Sequence, residues 1–132
     1  MPQGDVDAKS EEGKGMAKLQ RSLRGDYDEI LRGIEDGILR GSISAELEDT
    51  SVFRDGDTRC TVLVFERYSW FGRNRLSLTV SLFRSFDGQI RLSAISAGGS
   101  QAMFWKINTV GEEAFIEKLD ELLSKHPEWT AV

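Results

Sequence analysis

The middle of the chain alternates between apolar and polar residues, the pattern of strands that bury one face. Within the segment 75–84, residues 76–82 alternate leucine or valine with serine or threonine, and apolar and polar residues also alternate in 43–49 and 90–94. Residues 59–69 are apolar in both phases, which predicts a central strand covered on both faces. A weaker pattern predicts a first strand at 17–23.

Two other segments have the period of an α helix. Asp26 and Glu29 have the spacing of a capping box, and apolar residues follow at intervals of three and four. Thr109 and Glu112 repeat that spacing before a second apolar series, which Pro127 ends. Residues 102–107, between the last predicted strand and this helix, form either an edge strand or an anchored loop.

The order of these elements predicts an α+β fold. Asp87 and Gly88 form a strong hairpin signal, so the last three clear strands form an antiparallel meander. The order β-α-β-β-β-β-α predicts an antiparallel sheet of about four to five strands packed by two helices, a helix-grip or TATA-box-binding-protein-like arrangement.

The 132 residues divide into one domain and two tails. Residues 1–15 are acidic, rich in glycine and nearly without large apolar side chains, which predicts a disordered tail. We predict a single α+β domain over 16–126 and a C-terminal tail over 127–132.

Charge and composition narrow the classes of partner. The net charge of -5 makes nucleic acid an unfavoured partner, although arginines dominate between Arg54 and Arg91. The sequence has no apolar run of membrane-spanning length and no secretory signal pattern, so we expect a cytoplasmic protein without a membrane partner.

Residues for catalysis are scarce. His126 is the only histidine and no serine or cysteine has a base nearby in sequence, so we predict no catalytic residues and favour a protein that is not an enzyme. Cys60 is the only cysteine, which rules out a zinc site built on several thiolates. We predict no metal site and no cofactor.

Two short segments are candidates for ligand binding. Glu66 and Arg67 stand together in a strand predicted to be buried, where a charged pair is costly unless it has partners. The structural alternative is that these two charges pair with residues of a neighbouring strand such as Arg75 or Glu46. The glycine-rich segment has free backbone N–H groups that suit an anion, whereas a turn that only needs positive φ is its alternative. It consists of Gly98, Gly99, Ser100 and Gln101.

The glycines of the first predicted helix also allow two interpretations. Gly33, Gly37 and Gly41 recur at every fourth position. They either let the helix pack closely on the sheet, with Gly41 as the stop, or mark a place where a ligand or a second subunit approaches the backbone.

Three stretches carry a resemblance to a known family: ISAELED from Ile43, RCTVLVFERYS from Arg59 and SAISAGGSQAMFWKINTVGEEAF from Ser93. They resemble a family of small, uncharacterised bacterial proteins, a domain of unknown function, over about residues 17–124. The resemblance implies a bacterial origin and a self-contained domain, and it implies no reaction, cofactor or site.

The leading functional hypothesis is a non-enzymatic module that binds a small molecule between the sheet and the C-terminal helix. Glu66, Arg67 and the loop of residues 98–101 would form its site. The alternative is a protein-interaction or homodimerising domain that uses the ridge of Gly33, Gly37 and Gly41 or the aromatic residues of 102–107.

Overall fold

A computed structural model of the chain describes residues 9–11, 16–41, 44–69, 74–98 and 114–131. In these ranges it contains six strands, two α helices and a short 3₁₀ helix. The strands are β1 (Lys9–Glu11), β2 (Met16–Leu23), β3 (Glu46–Asp55), β4 (Thr58–Ser69), β5 (Asn74–Arg84) and β6 (Ile90–Gly98). The helices are α1 (Tyr27–Gly41), α2 (Ala114–Ser124) and the 3₁₀ helix Pro127–Trp129.

The strands form one antiparallel sheet in the order β1-β2-β6-β5-β4-β3. The meander from β4 to β6 therefore has the predicted connectivity, and β3 extends it by one strand. The predicted α+β class and element order are confirmed. The strand β2 pairs with β6, so α1 connects a strand on one side of the sheet to β3 at the opposite edge.

One face of the sheet is buried beneath the helices. Strand β6 shows this best, because its residues from Ile90 to Ser96 alternate strictly between buried and more exposed positions. Alternate residues of β2, β4 and β5 are buried with them, and α1 and α2 complete the core. The largest fully buried side chains are Phe65, Phe115, Leu19, Ile30, Ile34, Leu63, Leu78, Leu82, Ile90, Leu92, Ile116 and Leu119.

The start of α1 is fixed to the sheet by hydrogen bonds. The Glu29 backbone N–H donates to Asp26 Oδ2 at 2.9 Å, as the capping pattern predicted. The buried Tyr27 hydroxyl donates to the Leu82 carbonyl at 2.6 Å and lies 2.9 Å from Thr61 Oγ1. Because Thr61 is on β4 and Leu82 on β5, this one hydroxyl attaches the helix to two strands.

The glycines of α1 serve close packing inside the molecule. A Cβ at Gly33 would lie 2.6 Å from the Trp129 ring, and one at Gly37 would lie 2.6 Å from both methyl groups of Leu122. The packing interpretation is therefore right for these two glycines. The alternative, a ligand or a second subunit that approaches the backbone, is wrong at Gly33 and Gly37 because Trp129 and Leu122 already occupy these positions.

Residues 127–131 lie in the segment 127–132 that was predicted to be a C-terminal tail, and they pack onto the domain. Trp129 is 3% exposed, and its carbonyl accepts a hydrogen bond of 2.8 Å from the Arg24 N–H. Thr130 forms a bridge with Leu23 at the end of β2. A single tryptophan forms no periodic pattern, so the sequence does not predict the apolar contact that holds this segment.

Three strands differ from expectation. Lys9–Glu11 lies inside the segment predicted to be disordered, yet it pairs with Met16–Lys18 as a strand. The pairing uses backbone groups and needs no apolar side chain. The strand β3 begins and ends later than predicted and is exposed at every residue except Leu47. In β4 the face of Val62 and Val64 is half-buried, so the prediction of full cover on both faces is wrong.

Candidate functional site

Glu66 and Arg67 point to opposite faces of the sheet, because successive residues of a strand alternate. Glu66 lies on the face away from the helices, where its Oε1 accepts hydrogen bonds from Arg75 Nε at 3.0 Å and Nη2 at 2.5 Å. This hydrogen bond and the charge of Glu66 raise the pKa of Arg75, with smaller contributions from Glu48 and Glu46. The simpler prediction for Glu66, an ion pair with Arg75, is therefore confirmed.

Arg67 lies on the face that the helices cover. Its guanidinium carbon is 4.7 Å from the centre of the Phe115 ring in the first turn of α2, a cation–π contact. Burial lowers the pKa of Arg67 from its ordinary value, because desolvation penalises the charged form. The arginine remains cationic at neutral pH, so the structure holds a half-buried positive charge between the end of β4 and α2.

Gly98 lies in the same cross-strand row as Arg67. The register pairs Arg67 with Leu76, and Leu76 with Gly98. Gly98 has a φ of 124°, and a Cβ there would lie 2.5 Å from the Arg75 carbonyl oxygen. Only glycine fits this backbone, so the positive φ of the structural interpretation is present at Gly98, at the end of a strand. The other predicted members, Gly99, Ser100 and Gln101, lie outside the described residues.

Ser96 is a residue that sequence analysis missed. It lies in the row next to Gly98, paired with Leu78 of β5 and Ala17 of β2, and it is 0% exposed. Its Oγ has no hydrogen-bond partner in the described part of the chain, and it is the one buried side-chain polar atom there of which this is true. The sequence does contain a signal for a buried Ser96, because Ser96 continues the alternate-residue series of Ile90, Leu92 and Ala94 on the apolar side of β6.

Arg67, Gly98 and Ser96 thus lie at one end of the helix-covered face. Arg67 lies in the row of Leu76 and Ser96 in the row of Leu78, on the two strands that flank β5, so their backbones are about 12 Å apart at ordinary strand spacing. Leu76 and Leu78 lie between them, and Phe115 lies over Arg67. The arrangement has one cation, one unsatisfied hydroxyl and an apolar surround, which suits a ligand with an anionic group and an apolar body.

A family model described as "Family of unknown function (DUF6054)" matches residues 16–127. The chain belongs to this family. The resemblance to an uncharacterised domain is therefore confirmed, whereas the bacterial origin and the cytoplasmic location stay predictions. No curated protein matches the sequence.

Two solved structures have chains similar to this family member. The Ran-binding protein Mog1p of Saccharomyces cerevisiae is 11% identical with a TM-score of 0.43, and the match covers 88% of this chain and 68% of Mog1p. Major latex-like protein 151 of Panax ginseng is 10% identical with a TM-score of 0.30, covering 85% of this chain and 96% of that one. At these values neither likeness bears on function, and the fold class rests on the topology described above.

Few other side chains in the described ranges have an arrangement that suits catalysis or metal binding. No group of three or more His, Cys, Asp or Glu with metal-binding geometry occurs in the described ranges. His126 stacks on Trp129 with ring centres 3.9 Å apart and bonds Glu128 at 2.9 Å, so this family member uses its single histidine in the C-terminal contact. In the same ranges no helix is long and apolar enough to cross a bilayer.

Proposed function

We propose that the protein binds a small molecule with an anionic group at the end of the helix-covered face, using Arg67 and Ser96. The observation that carries this proposal is the Ser96 hydroxyl, which is fully buried without a hydrogen-bond partner among the described residues. Glu66 is not part of the proposed site because it faces the other side of the sheet. The loop of Gly99, Ser100 and Gln101 remains a predicted part of it.

The hydroxyl of Ser96, which has no partner in the described part of the chain, destabilises the folded protein. A buried hydroxyl without a hydrogen bond costs about 1–3 kcal/mol. Alanine occupies the neighbouring core positions Ala94 and Ala17, so a small apolar side chain fits this part of the sheet. An oxygen atom of a bound ligand would supply the missing partner and remove the cost.

Arg67 supplies the charge for such a ligand. A guanidinium has five N–H donors in a planar fork that matches a carboxylate or a phosphate. The Phe115 ring, 4.7 Å from the guanidinium carbon, orients this plane. Partial burial reduces screening by water, so an ion pair formed here is stronger than one on the surface. The expected ligand is a small carboxylate or phosphate ester with an apolar portion that contacts Leu76, Leu78 and Phe115.

Thermal unfolding of the full chain with a panel of carboxylates and phosphate esters tests the proposal. We expect at least one compound to raise the melting temperature of the wild type. Ser96→Ala and Arg67→Met should remove most of that rise, and Ser96→Ala without ligand should melt at or above the wild-type temperature. Glu66→Gln is the matched control, since it changes a charge one residue away on the opposite face.

Two results would count against the proposal. One is the absence of a stabilising compound in either class. The other is a compound whose effect persists in Ser96→Ala and Arg67→Met but is lost in Glu66→Gln, which would place the site on the open face instead.

A further inference from the structure

The sheet has a second face, on the side away from the helices, which we term the open face. Strand β4 is apolar on this side as well, at Cys60, Val62 and Val64, and all three residues are half-buried. An antiparallel strand with one face in water normally has polar residues on that face. The sequence of β4 is therefore typical of a strand with both faces covered, although the described helices pack on one face only.

Large apolar side chains lie beside β4 on the open face. The register places Cys60 between Phe53 of β3 and Phe83 of β5, and it places Val64 in the row of Ile95 of β6. Phe53 is 65% exposed, Phe83 39% and Ile95 40%. Exposed apolar side chains on a monomer are usually scattered, whereas a contiguous group of them marks an interaction surface.

The charges of the open face are divided between its two sides. On β2 and β6 the described open positions contain bases and no acid, namely Lys18 and Arg91. On β3 and β4 they contain acids and no base, namely Glu46, Asp49, Asp55 and Glu66. Asp49 and Lys18 have no ion-pair partner in the described part of the chain, so both charges are available to a second molecule.

A two-fold axis parallel to β5 brings the unlike sides of two copies together. It places β3 of one copy over β2 of the other, and β4 over β6. Asp49, Val64, Ile95 and Lys18 share one cross-strand row. The axis therefore stacks Asp49 on Lys18 and Val64 on Ile95, twice in each dimer. An axis at right angles to the strands would stack β3 on β3, and like-charge repulsion disfavours that arrangement.

The residues of β5 lie near this axis and meet their own copies. Phe83 meets Phe83, and aromatic rings favour such contacts. Arg75 also approaches its copy, and its ion pair with Glu66 offsets the repulsion. Stacked sheets cross at about 30°, which moves contacts two strands from the axis by about 5 Å. The flexible side chain of Lys18 spans that shift.

We propose that two copies of this chain pack open face to open face around a two-fold axis parallel to β5 and form a β-sandwich. Five strands of about eight residues make a face of about 24 Å by about 26 Å, so two copies bury on the order of 1,200 Å² in total, the lower end of specific interfaces. A two-fold contact closes on itself, so the assembly stops at a dimer. Arg67 and Ser96 lie on the other face, so the proposed ligand site does not depend on this dimer.

Light scattering after size exclusion, with a reductant that keeps Cys60 free, measures the mass of the full chain over a range of concentrations. We expect a wild-type dimer. Asp49→Lys or Lys18→Asp alone should weaken dimerisation about tenfold, because each places like charges together twice. The double variant should restore dimerisation to near the wild-type constant. Asp36→Lys, the same change at an exposed position of α1, is the control and should leave the dimer intact.

Hydroxyl-radical footprinting locates the interface. Oxidation of Phe53 and Phe83 should fall as the concentration rises, whereas Val52, exposed on the helix side of β3, should be oxidised equally at every concentration.

Three kinds of result would overturn the proposal. The first is a wild-type monomer at about 1 mM. The second is a dimer that the single variants leave unchanged, or one that the double variant fails to restore while thermal melting shows all variants folded. The third is protection of Phe53 and Phe83 in a monomer, because another part of the chain would then cover the open face.

Discussion

The strand β6 and the segment 43–49 that leads into β3 both alternate in sequence, yet β6 and β3 have opposite surroundings. In β6 the apolar phase is completely buried, and even the serine in that phase, Ser96, is 0% exposed. In β3 the residues of both phases are exposed, including Val52 and Phe53. The difference arises because β6 lies inside the sheet beneath the helices and β3 lies at its edge. Alternation therefore reports the direction of a side chain, and position in the sheet decides whether another element covers it.

Among the variants that test this comparison, truncating a buried leucine of β6 should cause the largest loss of stability. Leu92 is 2% exposed, and Leu92→Ala should lower the free energy of unfolding by about 2–5 kcal/mol through lost burial and a residual cavity. Val52→Ala on β3 should change it by less than about 0.5 kcal/mol in dilute solution. Urea denaturation measures both, and equal losses would contradict the distinction between the two strands.

The buried polar groups of β4 and β6 also differ, because Thr61 has a partner and Ser96 has none among the described residues. Tyr27→Phe removes the hydroxyl that bonds Thr61 and the Leu82 carbonyl. We expect a loss of about 1–3 kcal/mol, since two buried groups lose their partner. Tyr68→Phe, at an exposed ring, is the control. A neutral Tyr27→Phe would mean that water replaces the lost hydroxyl.

The close approach of α1 to the C-terminal segment gives a smaller expected effect. Gly33→Ala adds a Cβ 2.6 Å from the Trp129 ring, which is itself buried. Overpacking outweighs the gain in helix propensity, so we expect a net loss of about 1 kcal/mol. At Gly41 the nearest atom, in Lys118, is 3.7 Å away, so Gly41→Ala should be nearly neutral. Chemical denaturation would refute this account if Gly33→Ala were stabilising.

The smallest expected effect concerns the turn that leads into β6. The Ser85 hydroxyl donates to Asp87 Oδ1, and the Gln89 N–H donates to the same oxygen at 3.1 Å. These hydrogen bonds lower the pKa of Asp87 below its ordinary value of 3.8. The resulting stabilisation is complete above that value and is lost as the pH falls through the lower pKa of the folded state.

An NMR titration of the Asp87 carboxyl carbon measures this shift directly. Ser85→Ala should move the pKa of Asp87 back toward 3.8, because it removes the largest of the causes that lower it. An unchanged titration in Ser85→Ala would show that the Ser85 hydroxyl does not hold the pKa of Asp87 down and would contradict this account.

Much of the fold was predictable because its signals are local. The Asp26–Glu29 spacing marks the start of α1, and Asp87 with Gly88 marks the β5–β6 turn, where Gly88 has a φ of 92°. Contacts between distant segments leave no such pattern. The contact of Trp129 with Gly33 is the main example, since each residue is ordinary in its own neighbourhood.

The candidate site was less predictable, for a different reason. Glu66 and Arg67 were grouped because they are adjacent in sequence, although adjacent strand residues point in opposite directions. The alternation of side chains along a strand therefore already predicts that Glu66 and Arg67 lie on different faces of the sheet. Ser96 was the better candidate on the same criterion, because it is the polar residue that stands in the buried phase of β6.

The place of β2 in the sheet sets the order in which the molecule assembles. Leu19 pairs with Ala94, which lies 75 positions later in the chain (94 minus 19), whereas the hairpins from β3 to β6 join neighbouring segments. Closing so large a loop has a high entropic cost, which slows the pairing of distant strands. We therefore expect the meander to fold first and β2 to be added last. Pulse-labelled hydrogen exchange should then find Leu63 protected before Leu19. Because the apolar side of β2 would stay in water until that final step, we expect aggregation during refolding to fall once β2 is added.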